Sequence, residues 1–169
     1  MAAKPLRLAV DTNVLLDVAD EVEDVLDAFS VIDRRIASDD QLVTPSVLDE
    51  LAFLCDSGAT ASLRRSSRKA LIQLRSGTRF RPLIELPFGE NTVERAANEL
   101  RARGLLPVEE VHDSLILAEA ALLECSLLLT SDEHLRAVDH EQATLLLRAY
   151  DLAAPVIATP REIVRKFYQ

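Results

Sequence analysis

The sequence of 169 residues lacks tryptophan and has only two tyrosines and five phenylalanines, so its core must be built from aliphatic side chains. It contains four glycines, and their spacing matches neither a phosphate-binding loop nor a dinucleotide-binding turn. This argues against a nucleotide-binding ATPase. The two cysteines, Cys55 and Cys125, have no C-x-x-C partner. We therefore predict buried free thiols in a reducing compartment rather than a disulfide or a zinc site.

Long hydrophobic runs are also missing. The most apolar stretch, residues 115–129, is too short to span a bilayer and contains Glu119 and Glu124. The first residues do not resemble a signal peptide, so we expect a cytoplasmic protein. The net charge of −9 argues against a simple cationic nucleic-acid binder, but not against an enzyme that meets phosphate through metal ions. With 49% hydrophobic residues, we expect residues 1–169 to form a single domain.

Short apolar segments alternate with segments of helical periodicity, which is typical of an α/β domain with a mostly parallel sheet. Strands are predicted at residues 6–10, 42–44, 81–87, 126–130 and 155–160, the third as an edge strand because it contains two prolines. One helix is predicted to begin near Asp20, with Asp20 and Glu23 as a capping box. Further helices are predicted over residues 45–57, 60–77 and 91–103. Two more are predicted, one starting near Val111 and one over residues 161–167.

Four acidic residues occupy related places in this pattern. Asp11 and Asp132 directly follow predicted strands, Glu50 lies one turn into the helix after the second strand, and Asp113 begins the helix before the fourth. Ligands of parallel α/β sheets bind beyond the carboxyl ends of the strands, so we expect the four carboxylates to face one crevice. A divalent cation would compensate such a group of negative charges, and carboxylate ligands suit Mg²⁺ or Mn²⁺. Metal-assisted phosphodiester hydrolysis fits this set best.

Each acid also has a simpler interpretation. Asp11 could be a turn residue or a helix cap, and Asp132 could cap the turn after its strand. Asp113 could interact with a helix dipole, and Glu50 could face solvent. Spacing alone leaves these alternatives open.

The sequence resembles the PIN-domain family of metal-dependent ribonucleases over nearly its whole length. The resemblance is carried by residues 10–17 (VDTNVLLD), 44–51 (TPSVLDEL), 111–118 (VHDSLILA), 128–135 (LLTSDEHL) and 156–162 (VIATPRE). It implies a three-layer α/β/α fold with a central, mostly parallel sheet of about five strands. It also implies that Asp11, Glu50, Asp113 and Asp132 are the catalytic residues and the ligands of Mg²⁺ or Mn²⁺.

The same resemblance implies that Thr12, Asn13, Thr130 and Ser131 support those carboxylates through hydrogen bonds. The substrate class it implies is single-stranded RNA. Many bacterial members are VapC-type toxins, so it further implies an antitoxin partner and a homodimer. A surface for such pairing is predicted at residues 142–150, where three leucines are consecutive, with a buried helix as the alternative.

A basic segment interrupts this acidic chain. Residues 57–84 contain no acid and hold seven of the 19 basic side chains. We interpret Arg64, Arg65, Arg68 and Lys69 as an RNA-binding arm that contacts phosphates without reading sequence. The alternative is a solvated face that balances the acidic residues 20–27.

Three other functions share features with this pattern. The first is a PIN-like RNA- or protein-binding module that has lost turnover. A haloacid-dehalogenase-like phosphatase needs a second aspartate where this sequence has Asn13, and a receiver domain needs a lysine late in the sheet that is not found here. Metal-dependent ribonuclease activity is therefore the leading prediction.

Overall fold

A computed structural model describes residues 6–36, 40–77 and 79–167, which form five strands and nine α-helices. The strands are β1 (Arg7–Val10), β2 (Asp40–Val43), β3 (Phe80–Pro82), β4 (Leu127–Leu129) and β5 (Val156–Ala158). The helices are α1 (Thr12–Ala19), α2 (Glu23–Val31), α3 (Pro45–Ser57), α4 (Ala61–Arg75), α5 (Glu90–Ala102), α6 (Val111–Leu122), α7 (Glu133–Arg136), α8 (His140–Arg148) and α9 (Pro160–Phe167).

The five strands form one parallel sheet in the order β3-β2-β1-β4-β5. The central strands are buried on both faces; Leu8, Ala9 and Val10 of β1 are at most 1% exposed. A strand covered on both faces is apolar at every position, which is why these segments appear in the sequence as unbroken apolar runs. The predicted α/β class with a parallel sheet is confirmed.

The helices pack in two groups, one for each face of the sheet. Contacts join α1, α2, α4 and α9 on one side and α5, α6 and α8 on the other, while α3 contacts α1, α4 and α6. Right-handed crossovers explain the division, since the chain moves along the sheet in one direction from β1 to β3 and in the other from β4 to β5. The crossovers diverge between β1 and β4, where α/β sheets bind their ligands.

The helix predicted near Asp20 is present as α2, but Asp20 does not cap it, and the helix before it was not predicted. Helix α1 starts at Thr12, directly after β1, and Asp20 is its C-cap. The next residue, Glu21, has a left-handed backbone (φ 57°), and α2 begins at Glu23 after Val22, which is its N-cap. The apolar residues of α1 follow an acidic cap at Asp11, and that polar start obscured the helix in the sequence.

Three smaller predictions gain detail from the structure. The edge strand is confirmed as β3, although it ends at Pro82 rather than at residue 87. Residues 142–150 lie mostly in α8, where Leu146 and Leu147 are buried and Leu145 is 62% exposed. Both cysteines are free, but only Cys125 is fully buried. Among the described residues, no helix is long and apolar enough to cross a bilayer.

Candidate acidic active site

Asp11 lies at the carboxyl end of β1, next to the end of β4. Its backbone N–H donates to the carbonyl of Leu129 (3.0 Å), and its carboxylate caps α1 by accepting the Thr12 N–H (2.7 Å). The other oxygen, Oδ2, accepts from Thr130 Oγ1 (2.6 Å) and Asn13 Nδ2 (3.2 Å). The side chain is only 3% exposed. Burial raises the pKa of this carboxyl from 3.8 to about 6, with smaller contributions from the charges of Glu50 and Asp132.

The segment after β4 holds Asp132 against Asp11. Thr130 is fully buried, and its hydroxyl donates to Asp11 while accepting the N–H of Asp132 (3.0 Å). Oδ1 of Asp132 caps α7 by accepting the N–H groups of His134 (2.8 Å) and Leu135 (3.1 Å). The interpretation of Asp11 as a helix cap is therefore correct, and Asp132, which was predicted to cap the turn after its strand, caps helix α7. Capping is compatible with a second role, because each carboxylate also lies at the divergence point of the sheet.

Glu50 comes to the same edge on α3, which begins at Pro45 immediately after β2. Its Oε2 accepts a 2.5 Å hydrogen bond from the hydroxyl of Thr12. This bond joins the helix after β2 to the helix after β1. Glu50 is half-buried, so its side chain both contacts Thr12 and remains partly exposed to solvent.

Asp113 completes the group from the first turn of α6. Its Oδ2 is buried and has no hydrogen-bond partner among the described residues. The pKa of this carboxyl is raised to about 8, first by burial and then by the charges of Asp132, Asp11, Glu110 and Glu50. The charges of Glu50 and Asp132 contribute to the raised pKa values of both Asp11 and Asp113, so the four carboxylates come from separate segments but lie within electrostatic range of one another.

The sequence matches a family of known proteins. The family model for the PIN domain matches residues 8–141. The chain belongs to the PIN domain family. PIN domains are generally nucleases, and PIN nucleases typically use divalent metals. No protein with curated annotation matches the sequence significantly.

A solved structure shares this PIN fold at low sequence identity. It is the crystal structure of VapBC2 from Rickettsia felis bound to a DNA fragment from their promoter. The superposition has a TM-score of 0.61 at 13% identity, and it covers 91% of this chain and 98% of the other. At this identity the likeness establishes the three-layer fold and no more.

Two residues at the pocket of this PIN domain were not predicted as site residues. His134 Nδ1 lies 3.1 Å from Glu110 Oε1, and one ligand atom from each of Glu110, Asp113 and His134 falls within 4.8 Å of the others. The i, i+3 spacing of Glu110 and Asp113 places them on one side of the start of α6, so that pair was detectable in the sequence. The approach of His134 depends on the path of the chain after β4.

Glu119, another acid that was not predicted as a site residue, supports helix α3 from the neighbouring helix α6. It is 4% exposed, and its carboxylate accepts hydrogen bonds from the Ser46 hydroxyl (2.7 Å) and the Ser46 N–H (3.3 Å). Burial raises the pKa of this carboxyl, and the bonds from Ser46 oppose the shift. Since Ser46 is in the first turn of α3, Glu119 ties α6 to the helix that presents Glu50.

The predicted supporting and RNA-binding residues fall in different places. Thr12, Asn13 and Thr130 all bond to the acids, whereas Ser131 is exposed and its N–H donates to Asn13 Oδ1 (3.1 Å). The four basic residues of the predicted arm, Arg64, Arg65, Arg68 and Lys69, are all on α4, which packs against α1 and α3. Arg64 donates to the carbonyl of Gly58 (2.6 Å), while the other three are exposed. In the described part of the chain, none of the four forms an ion pair with the acidic residues 20–27.

Proposed function

We propose that this PIN domain is a Mg²⁺- or Mn²⁺-dependent endoribonuclease that cleaves single-stranded RNA at the pocket formed by Asp11, Glu50, Asp113 and Asp132. The observation that carries the proposal is the convergence of these carboxylates at the divergence point between β1 and β4, with the pKa values of Asp11 and Asp113 raised. Carboxylates kept this close need a compensating positive charge at neutral pH.

The donor set fits a hard divalent cation. Asp113 Oδ2 is buried without a partner, and the hydrogen bonds to Glu50 and Asp132 each occupy a single oxygen of the carboxylate. Each of these three residues therefore has an oxygen left for a cation, and oxygen ligands are those that Mg²⁺ and Mn²⁺ prefer. A divalent cation held there would activate water for attack on phosphorus and stabilise the negative charge of the reaction.

The neighbouring polar residues hold the carboxylates in place. Thr130 is hydrogen-bonded to Asp11 and Asp132 together, and Thr12 and Asn13 contact Glu50 and Asp11 respectively. Hydrogen bonds of this kind restrict the rotation of each carboxylate. We propose the same supporting role for Ser131 through its backbone N–H.

The wider biological setting belongs to the same proposal. Similarity of fold to a chain of the VapBC2 structure supports a role as the toxin of a toxin–antitoxin pair, with an antitoxin as protein partner. The continuous core formed by the described residues supports one PIN-like domain over residues 1–169. We propose the cytoplasm as its location. We propose that the protein also forms a homodimer through the exposed part of α8. A measurement of its mass in solution would test this.

The decisive test is cleavage of a labelled single-stranded RNA with Mg²⁺, with Mn²⁺ and with EDTA. We expect cleavage that requires metal and falls at least about 100-fold in Asp11→Asn. The matched control is Asp49→Asn, which removes an exposed carboxylate beside Glu50 and should leave activity unchanged. If the unaltered protein binds RNA but shows no turnover with either metal, it is instead an inactive PIN-like binding module. A structure with Mn²⁺ would then show whether the four acids still hold an ion.

A further inference from the structure

A second cavity opens directly beside the acidic pocket. It has a volume of about 480 Å³ and is lined by the loop after β4, the start of α9 and parts of α1 and α2. Ser131, one of its lining residues, immediately precedes Asp132 and bonds through its N–H to Asn13. The cavity therefore begins next to the carboxylates, and its size is within the range that holds a small ligand.

Three arginines and three acidic residues line this cavity. Arg161 is paired with Asp24 (2.9 Å). Arg136 and Arg165 are exposed, and neither has an acidic partner among the described residues. Of the acids in the lining, Asp24 is engaged by Arg161, and Glu162 closes the first turn of α9 by bonding to Thr159 (2.8 and 3.1 Å). Half-buried Asp17 is the third.

The negative charge of the acidic pocket indicates that these arginines bind phosphate. A pocket of four carboxylates repels a polyanion, even when a cation offsets part of the charge, so RNA must be held by positive groups on either side of the bond to be cut. Arginine is suited to this task because its planar guanidinium donates two parallel hydrogen bonds to a phosphate. The two unpaired arginines lie on α7 and α9, on the side of the pocket opened by Ser131.

We propose that Arg136 and Arg165 bind the phosphate of the nucleotide adjacent to the scissile bond of single-stranded RNA, with that nucleotide in the cavity. This inference rests on the proposed ribonuclease function. It assigns RNA contacts to the α7–α9 side of the pocket, in addition to the basic residues of α4. The contacts position the strand and are independent of base sequence.

Binding of a fluorescently labelled single-stranded RNA, followed by anisotropy in Ca²⁺ to prevent turnover, tests the assignment. For Arg136→Gln combined with Arg165→Gln, we expect affinity to fall at least about tenfold. The slope of log affinity against log salt should become less steep by about 0.7, since the two arginines together neutralise one phosphate. The matched control is Arg75→Gln with Arg148→Gln, two exposed arginines outside the lining of this cavity, which should leave affinity and slope nearly unchanged. An unchanged affinity and slope in the α7–α9 pair would overturn the inference.

A second substrate separates this inference from the proposed function. Bis(p-nitrophenyl) phosphate is a small phosphodiester without a neighbouring nucleotide, so the double variant should hydrolyse it at the unaltered rate while losing RNA cleavage. Loss of both activities would place the arginines at the reacting phosphate and contradict the assignment. If the unaltered protein hydrolyses neither substrate, the nuclease proposal fails, and the anisotropy experiment still decides whether the arginines bind RNA.

Discussion

Neutralising Asp113 should stabilise the cation-free protein, which is the opposite of what removing a structural side chain does. The pKa of Asp113 is raised from 3.8 to about 8 in the fold, so the native state retains a proton that the unfolded chain has released. Stability in EDTA must therefore fall as pH rises from about 4 to about 8. Asparagine carries no charge at any of these pH values, so Asp113→Asn removes this loss.

The size of the effect follows from the same shift. At about 1.4 kcal/mol per pH unit, the change from 3.8 to about 8 corresponds to an upper limit of roughly 6 kcal/mol. Asp113 is only half-buried and titrates together with neighbouring acids, so solvent screening reduces the expected gain to about 2 kcal/mol at pH 8.5. For a chain of this length, that gain raises Tm by roughly 4–8 °C.

Thermal unfolding followed by circular dichroism measures this, since the chain has no tryptophan. We expect Asp113→Asn to melt above the unaltered protein at pH 8.5 in EDTA and to match it below pH 4. Mn²⁺ should then stabilise the unaltered protein but not the variant, because the cation relieves the same repulsion. Exposed Asp49→Asn serves as the control. An Asp113→Asn variant that melts lower at pH 8.5 in EDTA would refute the argument that these carboxylates repel one another.

Two further predictions concern the residues that hold the pocket together. Thr130→Val removes the hydroxyl shared by Asp11 and Asp132 and should lower the free energy of unfolding in urea by about 1–3 kcal/mol. Thr130→Ser retains the hydroxyl and should be about as stable as the unaltered protein. Equal stabilities of the two variants would contradict the bridging role. Glu119→Ala leaves both donors of Ser46 buried without an acceptor and should cost roughly 2 kcal/mol, while Glu119→Gln retains an acceptor and should lose less. A larger loss in Glu119→Gln than in Glu119→Ala would show that the carboxylate charge, not its hydrogen bonding, stabilises α3.

The outline of the site could be predicted because it depends on topology. Asp11 and Asp132 follow apolar strands, and parallel strands bring their carboxyl ends to one edge whatever the details of packing. Glu50 and Asp113 could be added because each lies within two turns of a helix start at that edge. The start of α1 was missed because the residues that open it, Thr12 and Asn13, are as polar as a loop.

The sequence carried the fold class and the four carboxylates, since burial on both faces of a parallel sheet leaves unbroken apolar runs and chain order sets the strand ends. It did not reveal that His134 joins the pocket or that Arg136 and Arg165 line a cavity beside it. Those contacts join segments distant in the chain, and they depend on how helices rotate and how loops pass over the edge of the sheet. Only the packed structure determines these angles, because no local pattern of residues encodes the distance between two side chains on different elements.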